Sequence, residues 1–82
     1  MNIESEMKRI LIEIVEGRIT EDNICSNTNI VEDIGLDSLQ MINLILMIED
    51  AFDLEIDFDE IEYEIFLRFS ELVEFIKEKL EV

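Results

Sequence analysis

Ser38 closes the run Glu32-Asp33-Ile34-Gly35-Leu36-Asp37-Ser38-Leu39, in which a glycine-marked loop ends in Asp-Ser and a nearly unbroken apolar stretch begins. A hydroxyl at a loop-to-helix junction is accessible. The helix N-terminus beyond it offers unpaired N–H groups and a partial positive charge that favour a phosphate. The run therefore reads as an attachment point for a phosphate-linked group, although Asp and Ser are also preferred caps of any helix. Ser38 is not equipped to act as a nucleophile by itself, because serine needs an activating base and the chain has no histidine. It reads as the substrate of another enzyme. Cys25 is the only cysteine, so an internal disulfide and the usual zinc constellations are excluded. Flanked by Ile24 and Ser26, it is taken as a loop or core-edge filler with no chemical role.

A second candidate lies in the carboxylates Asp53, Glu55, Asp57, Asp59 and Glu64, which occupy positions 1, 3, 5, 7 and 12 of a possible EF-hand loop. The match fails at position 6, where the sharp turn needs glycine and the chain has Phe58, a ring that prefers the core. No metal site is assigned.

Charge bounds the partners. The formal net charge is −16, and between Arg18 and Arg68 the sequence holds fourteen acidic residues, Glu21 to Glu64, without one Lys or Arg. A field of this sign excludes nucleic acid and anionic membrane as direct partners, attracts basic protein surfaces and disfavours self-association, so a monomer is expected. No apolar run approaches the ~18 residues of a membrane span, and Met1-Asn2-Ile3-Glu4 lacks the basic start of a signal peptide, which predicts a cytoplasmic protein.

The elements that must position Ser38 follow from periodicity. With 82 residues, no proline and only Gly17 and Gly35 as glycines, the chain predicts one all-α domain over residues 1–82. Ile3, Met7, Ile10, Leu11 and Ile14 recur at helical spacing, predicting a helix over 3–16 ended by Gly17. Residues 18–36 form a long loop pinned by Ile24, Ile30, Val31, Ile34 and Leu36. The second helix runs from about Ser38 to Phe52, with Asp37 and Gln40 spaced as a capping box. Met41, Leu44, Ile45, Ile48, Ala51 and Phe52 fall on its core face. Leu39, Ile42 and Leu46 fall on another side, together with Ser38, Asn43, Glu49 and Asp50. Ile56 points inward and a short helix covers Asp59 to Glu64. A last helix starts near Ser70, which caps it, and buries Leu72, Val73, Phe75, Ile76 and Leu80. The expected fold is a small four-helix bundle with three long helices and one short one.

The combination of the first helix, the long loop, the Glu32-to-Leu39 motif, the helix closing in Ile48-Glu49-Asp50-Ala51-Phe52-Asp53, then Leu54-Glu55-Ile56 and Phe66 to Ile76 resembles the acyl carrier protein family. That family includes the carriers of polyketide, nonribosomal peptide and D-alanyl transfer systems. The resemblance implies an acyl carrier protein-like bundle that is not an enzyme. It implies a 4'-phosphopantetheine arm, derived from coenzyme A, on Ser38, with acyl or aminoacyl cargo held as a thioester on its terminal thiol. The implied partners are a phosphopantetheinyl transferase, an acyl- or aminoacyl-loading ligase or transferase, and downstream biosynthetic enzymes with basic docking surfaces. On the register above, those partners read the second helix through Leu39, Ile42 and Leu46, with Asp37, Glu49 and Asp50 meeting Lys or Arg.

Within the family, carriers of fatty acid synthesis place carboxylates early in the second helix, where this chain has Gln40 and Asn43, and nonribosomal peptide carriers show a Gly-Gly pair where it has Gly35-Leu36. A stand-alone carrier of polyketide or mixed peptide biosynthesis is favoured, with a fatty acid synthesis or D-alanyl carrier as the alternative. Readings of another class are an acidic protein-interaction module, which leaves the Asp-Ser junction accidental, and a divalent-ion binder, which explains only residues 53–64.

Overall fold

A computed structural model describes residues 2–81 and, of Phe58, the backbone alone, so the expectation that its ring seeks the core lies outside the described residues. Three α-helices are present, α1 (Ile3–Ile14), α2 (Ser38–Phe52) and α3 (Phe69–Leu80), with 3₁₀ turns at Glu21–Asn23, Phe58–Glu60 and Tyr63–Leu67. Among the described residues there is no strand.

α1 begins at the Asn2 cap, whose side chain accepts the Ser5 N–H at 3.0 Å. It stops two residues before the predicted 16, because Glu16 and Gly17 both turn left-handed (φ 57° and 78°) and the Gly17 N–H takes the Ile12 carbonyl at 2.9 Å. Gly17 tolerates this φ without the Cβ penalty. Met7, Ile10 and Leu11 are fully buried. α1 packs on both α2 and α3, whereas those two have no close backbone approach to each other among the described residues.

The loop from Val15 to Asp37 is anchored by Ile24, Ile30, Ile34 and Leu36, all buried, with Val31 only half-buried. Its other anchor is backbone pairing with the start of α3. Phe69 and Ser70 donate to the Thr28 and Ser26 carbonyls at 2.8 and 3.0 Å, and Ile30 donates to the Phe66 carbonyl at 3.0 Å. The N–H groups that open α3 are thus satisfied across the fold, so α3 starts at Phe69 with no side-chain cap, one residue before the helix expected to be capped by Ser70. Its buried stripe holds Leu72, Val73 and Ile76. Leu80 is 42 % exposed, so the stripe ends earlier than predicted.

The short fourth helix is not formed. Residues 57–60 are instead held by local side-chain bonds, the Asp57 carboxylate accepting the Asp59 N–H at 3.0 Å and the Glu60 carboxylate the Asp57 N–H at 3.1 Å. Such bonds compete with a helical ladder and leave two separate 3₁₀ turns.

Candidate functional site

The site is built at the start of α2. Asn29 shapes the approach: its side-chain oxygen accepts the N–H groups of Val31 and Glu32 at 3.0 and 2.8 Å, and its own N–H donates to the Asp33 carboxylate at 2.8 Å. Gly35 then reverses the chain at φ 82°. A Cβ there would meet nothing within 4 Å, so the requirement for glycine is conformational and not steric. The reversal sends Leu36 into the core and leaves Asp37 at the N-cap. The Asp37 carboxylate accepts the Gln40 N–H at 2.8 Å, and the Gln40 side-chain oxygen accepts the Asp37 N–H at 3.1 Å, which is the predicted capping box.

Ser38 is the first residue of α2 and is exposed. Its hydroxyl makes no hydrogen bond among the described residues, and the N–H groups of Ser38 and Leu39 have no acceptor there. A phosphate ester on Ser38 would lie beside these two donors at the positive end of the α2 dipole. The residues present therefore fit a phosphate-linked arm.

Beside Ser38 runs an open groove of about 350 Å³, lined on one side by Met41, Ile42 and Ile45 of α2 and on the other by Ile61, Tyr63 and Phe66. Ile61 and Tyr63 were not expected in the site; no periodicity in residues 54–67 marks the wall they form. Asn29 was missed too, hidden in a polar loop. The predicted core face of α2 is buried at Leu44, Ile45, Ile48 and Phe52 and half-buried at Met41 and Ala51. Leu39, Ile42 and Leu46 are 67, 43 and 51 % exposed, as their register requires.

The carboxylates divide. Asp37 and Asp50 are exposed. Glu49 departs from its expected place on the open surface: it is half-buried and its carboxylate accepts the Ile56 N–H at 2.8 Å, tying the segment after α2 back onto the helix. Among the described residues no group of three or more metal-ligating side chains converges. In the stretch with EF-hand spacing, Glu60 instead bonds Lys79 Nζ at 2.7 Å, and this bond first, then the Asp57 N–H, holds its carboxyl below the usual value. The Cys25 thiol is exposed and is likewise lowered, chiefly by the Thr28 hydroxyl donating to its sulfur at 3.4 Å. No helix among the described residues is long and apolar enough to cross a membrane.

Comparison with known proteins agrees with this geometry. Residues 9–76 match the family described as "Phosphopantetheine attachment site". The chain is 35 % identical over 79 residues to an acyl carrier protein of Desulforapulum autotrophicum, covering 96 % of this chain and 99 % of that one. An acyl carrier protein of Buchnera aphidicola is 36 % identical over 61 residues, 74 % of each chain.

Proposed function

The chain belongs to the acyl carrier protein family, with 4'-phosphopantetheine as its prosthetic group, and from that premise we propose that Ser38 is the residue that bears the arm. The observation that carries this reading is the unencumbered Ser38 hydroxyl at the capped start of α2, next to two unpaired N–H groups. When bound, the arm supplies the terminal thiol that holds cargo as a thioester. The polypeptide supplies position. The capping box fixes the first turn of α2, Gly35 and Asn29 set the angle of approach, and the apolar groove offers a non-aqueous surface beside the attachment point. With no imidazole in the chain, the proton leaving the Ser38 hydroxyl goes to a base on the phosphopantetheinyl transferase. Residues 1–82 act as one carrier domain without catalytic activity of their own.

The favoured setting is polyketide or nonribosomal peptide-type biosynthesis in the cytoplasm, served by a discrete carrier, with fatty acid synthesis or D-alanyl transfer as the alternative. It is supported by two uncharged residues early in α2, Gln40, which is spent on the cap, and Asn43, which is exposed. Intact mass before and after incubation with coenzyme A and a phosphopantetheinyl transferase tests the assignment. The parent protein gains one phosphopantetheinyl group and a folded Ser38→Ala variant gains none. Equal gain by both disproves it.

A further inference from the structure

The far wall of the groove beside Ser38 is a strap without α-helix, in which Ile61 and Tyr63 stand opposite Met41 and Ile42 of α2. It is anchored at both ends. Before it, the Ile56 N–H donates to the Glu49 carboxylate at 2.8 Å, and after it the Phe66 carbonyl accepts the Ile30 N–H at 3.0 Å. Ile56 and Phe66 are both buried. Between these anchors, residues 57–65 bond mainly to themselves. The Glu60 and Ile65 N–H groups donate to the Asp57 and Glu62 carbonyls at 3.0 Å each, and the Asp57 and Asp59 N–H groups to the Glu60 and Asp57 carboxylates. None of the described side chains of 57–65 is buried; Ile61 and Ile65 are half-buried.

One contact leaves the strap. Lys79 Nζ, in the last turn of α3, donates to Glu60 Oε1 at 2.7 Å, the only hydrogen bond from 57–65 to the rest of the protein among the described residues. It is also the one ion pair among them that joins distant parts of the chain, since the other two, Arg9 with Glu6 and with Glu13, lie within α1. The Lys79 and Glu60 side chains are 29 and 39 % exposed, so water and salt screen the pair only in part. Glu60 adjoins Ile61, which places the contact next to the groove.

We propose that Lys79 is a positioning residue for this groove: through Glu60 it latches the strap to α3 and holds Ile61 and Tyr63 opposite α2, so that the apolar space beside Ser38 widens when this one contact breaks. What that space does for cargo rests on the reading of Ser38, whereas the latch belongs to the unmodified chain. A segment with few buried contacts between two firm anchors opens on its own, below the free energy of global unfolding. The latch sets how often it does so. A partly exposed ion pair of this kind shifts that opening ~2–5-fold.

The test is amide hydrogen exchange, followed by NMR on the unmodified full chain. The Glu60 and Ile65 N–H groups report the strap, and those of Leu11 and Ile48 report the helix interiors. In the parent, the strap amides should be protected but exchange faster than the helical ones. Lys79→Met, which keeps an aliphatic stem and loses the charge, should speed strap exchange ~2–5-fold, and Lys79→Arg should restore the parental rate. Glu60→Gln, which keeps an acceptor for the Asp57 N–H, should match Lys79→Met, and the two together should add nothing further. Lys77→Met is an equal charge change in the same turn, at a residue with no ion pair among those described, and should leave strap rates at the parental value. Strap amides as slow as Leu11 and Ile48 would show a wall that does not move separately, and unprotected ones a wall that nothing holds; either result overturns the latch. Strap exchange unmoved by Lys79→Met, or moved as far by Lys77→Met or Lys79→Arg, overturns it as well. A failed latch in a chain that still takes up the arm leaves the Ser38 reading standing, and a chain that refuses the arm but passes these tests leaves the latch standing.

Discussion

Ile42 and Ile45 sit three residues apart on α2 and both line the groove beside Ser38, but Ile42 is 43 % exposed and Ile45 only 5 %. Truncating each to alanine should separate docking from folding. A buried Ile→Ala change costs ~2–5 kcal/mol, the lost transfer energy plus a cavity term. Ile45→Ala should fall in that range. For Ile42 the transfer term is little more than half as large, the open groove lets solvent fill the space, and alanine gains roughly 0.4 kcal/mol of helix propensity. The expected net loss is ~0.5–1 kcal/mol, readable as a small shift in the urea midpoint with unchanged slope. In the transferase assay the order reverses: Ile42→Ala weakens the complex at every salt concentration, while folded Ile45→Ala is affected less. If Ile42→Ala destabilises the domain as much as Ile45→Ala, the exposed strip belongs to the core and does not serve as a docking surface.

Gly35→Ala should cost ~1 kcal/mol in denaturant unfolding, the ~1–2 kcal/mol penalty of a left-handed residue less the gain from a stiffer unfolded chain, because no atom obstructs a Cβ there. A loss above ~3 kcal/mol would mean a steric role the structure does not contain. Net charge −16 on a molecule 33 × 26 × 21 Å puts most carboxylates within one Debye length of each other at ~0.01 M salt. Raising salt to ~0.15 M should therefore stabilise the fold by on the order of 1 kcal/mol, or ~4–8 °C in Tm, and an unchanged midpoint would refute the repulsion argument. The lowered carboxyl of Glu60 stabilises the folded state above its ordinary pKa of 4.5, and that contribution is lost as pH falls through the lower folded value. The stability difference between parent and Lys79→Met should accordingly shrink over that acid window, and a difference that stays constant with pH would show that Lys79 acts through packing.

What the sequence made legible is what its neighbours decide. The bounds of α2 and the Asp37–Gln40 box follow from residues three apart, and the core register of α2 follows from a period that tertiary contacts did not override. What stayed hidden depends on partners far along the chain. The start of α3 is fixed by carbonyls of Ser26 and Thr28 more than forty residues earlier. The loss of the fourth helix reflects carboxylates bonding backbone N–H groups at Asp57 and Asp59, with Lys79, nineteen residues on, fixing Glu60. Glu49 and Asp50 are adjacent and chemically alike, and only the position of the Ile56 N–H gives the first to the fold and leaves the second on the surface.

That separation has a structural cause in the size of the domain. A chain of 82 residues buries roughly 60 to 65 % of its unfolded surface, too little to enclose a cavity and keep a core. Here apolar surface is left at two open seams beside α2, one against Ile61, Tyr63 and Phe66 and one against the end of α1. One seam, closed on its far side by Ile61, Tyr63 and Phe66, has Ser38 in its wall; the other, closed by the end of α1, is lined in part by Glu13, Glu16 and Asp50. Both are backed by fully packed residues of the same helix, Leu44 and Ile48 among them, so α2 can present two different chemistries along one rigid axis. An attachment point needs access from solvent, and an open seam beside the capped start of α2 leaves Ser38 that access while the rest of the helix stays packed, without an extra element.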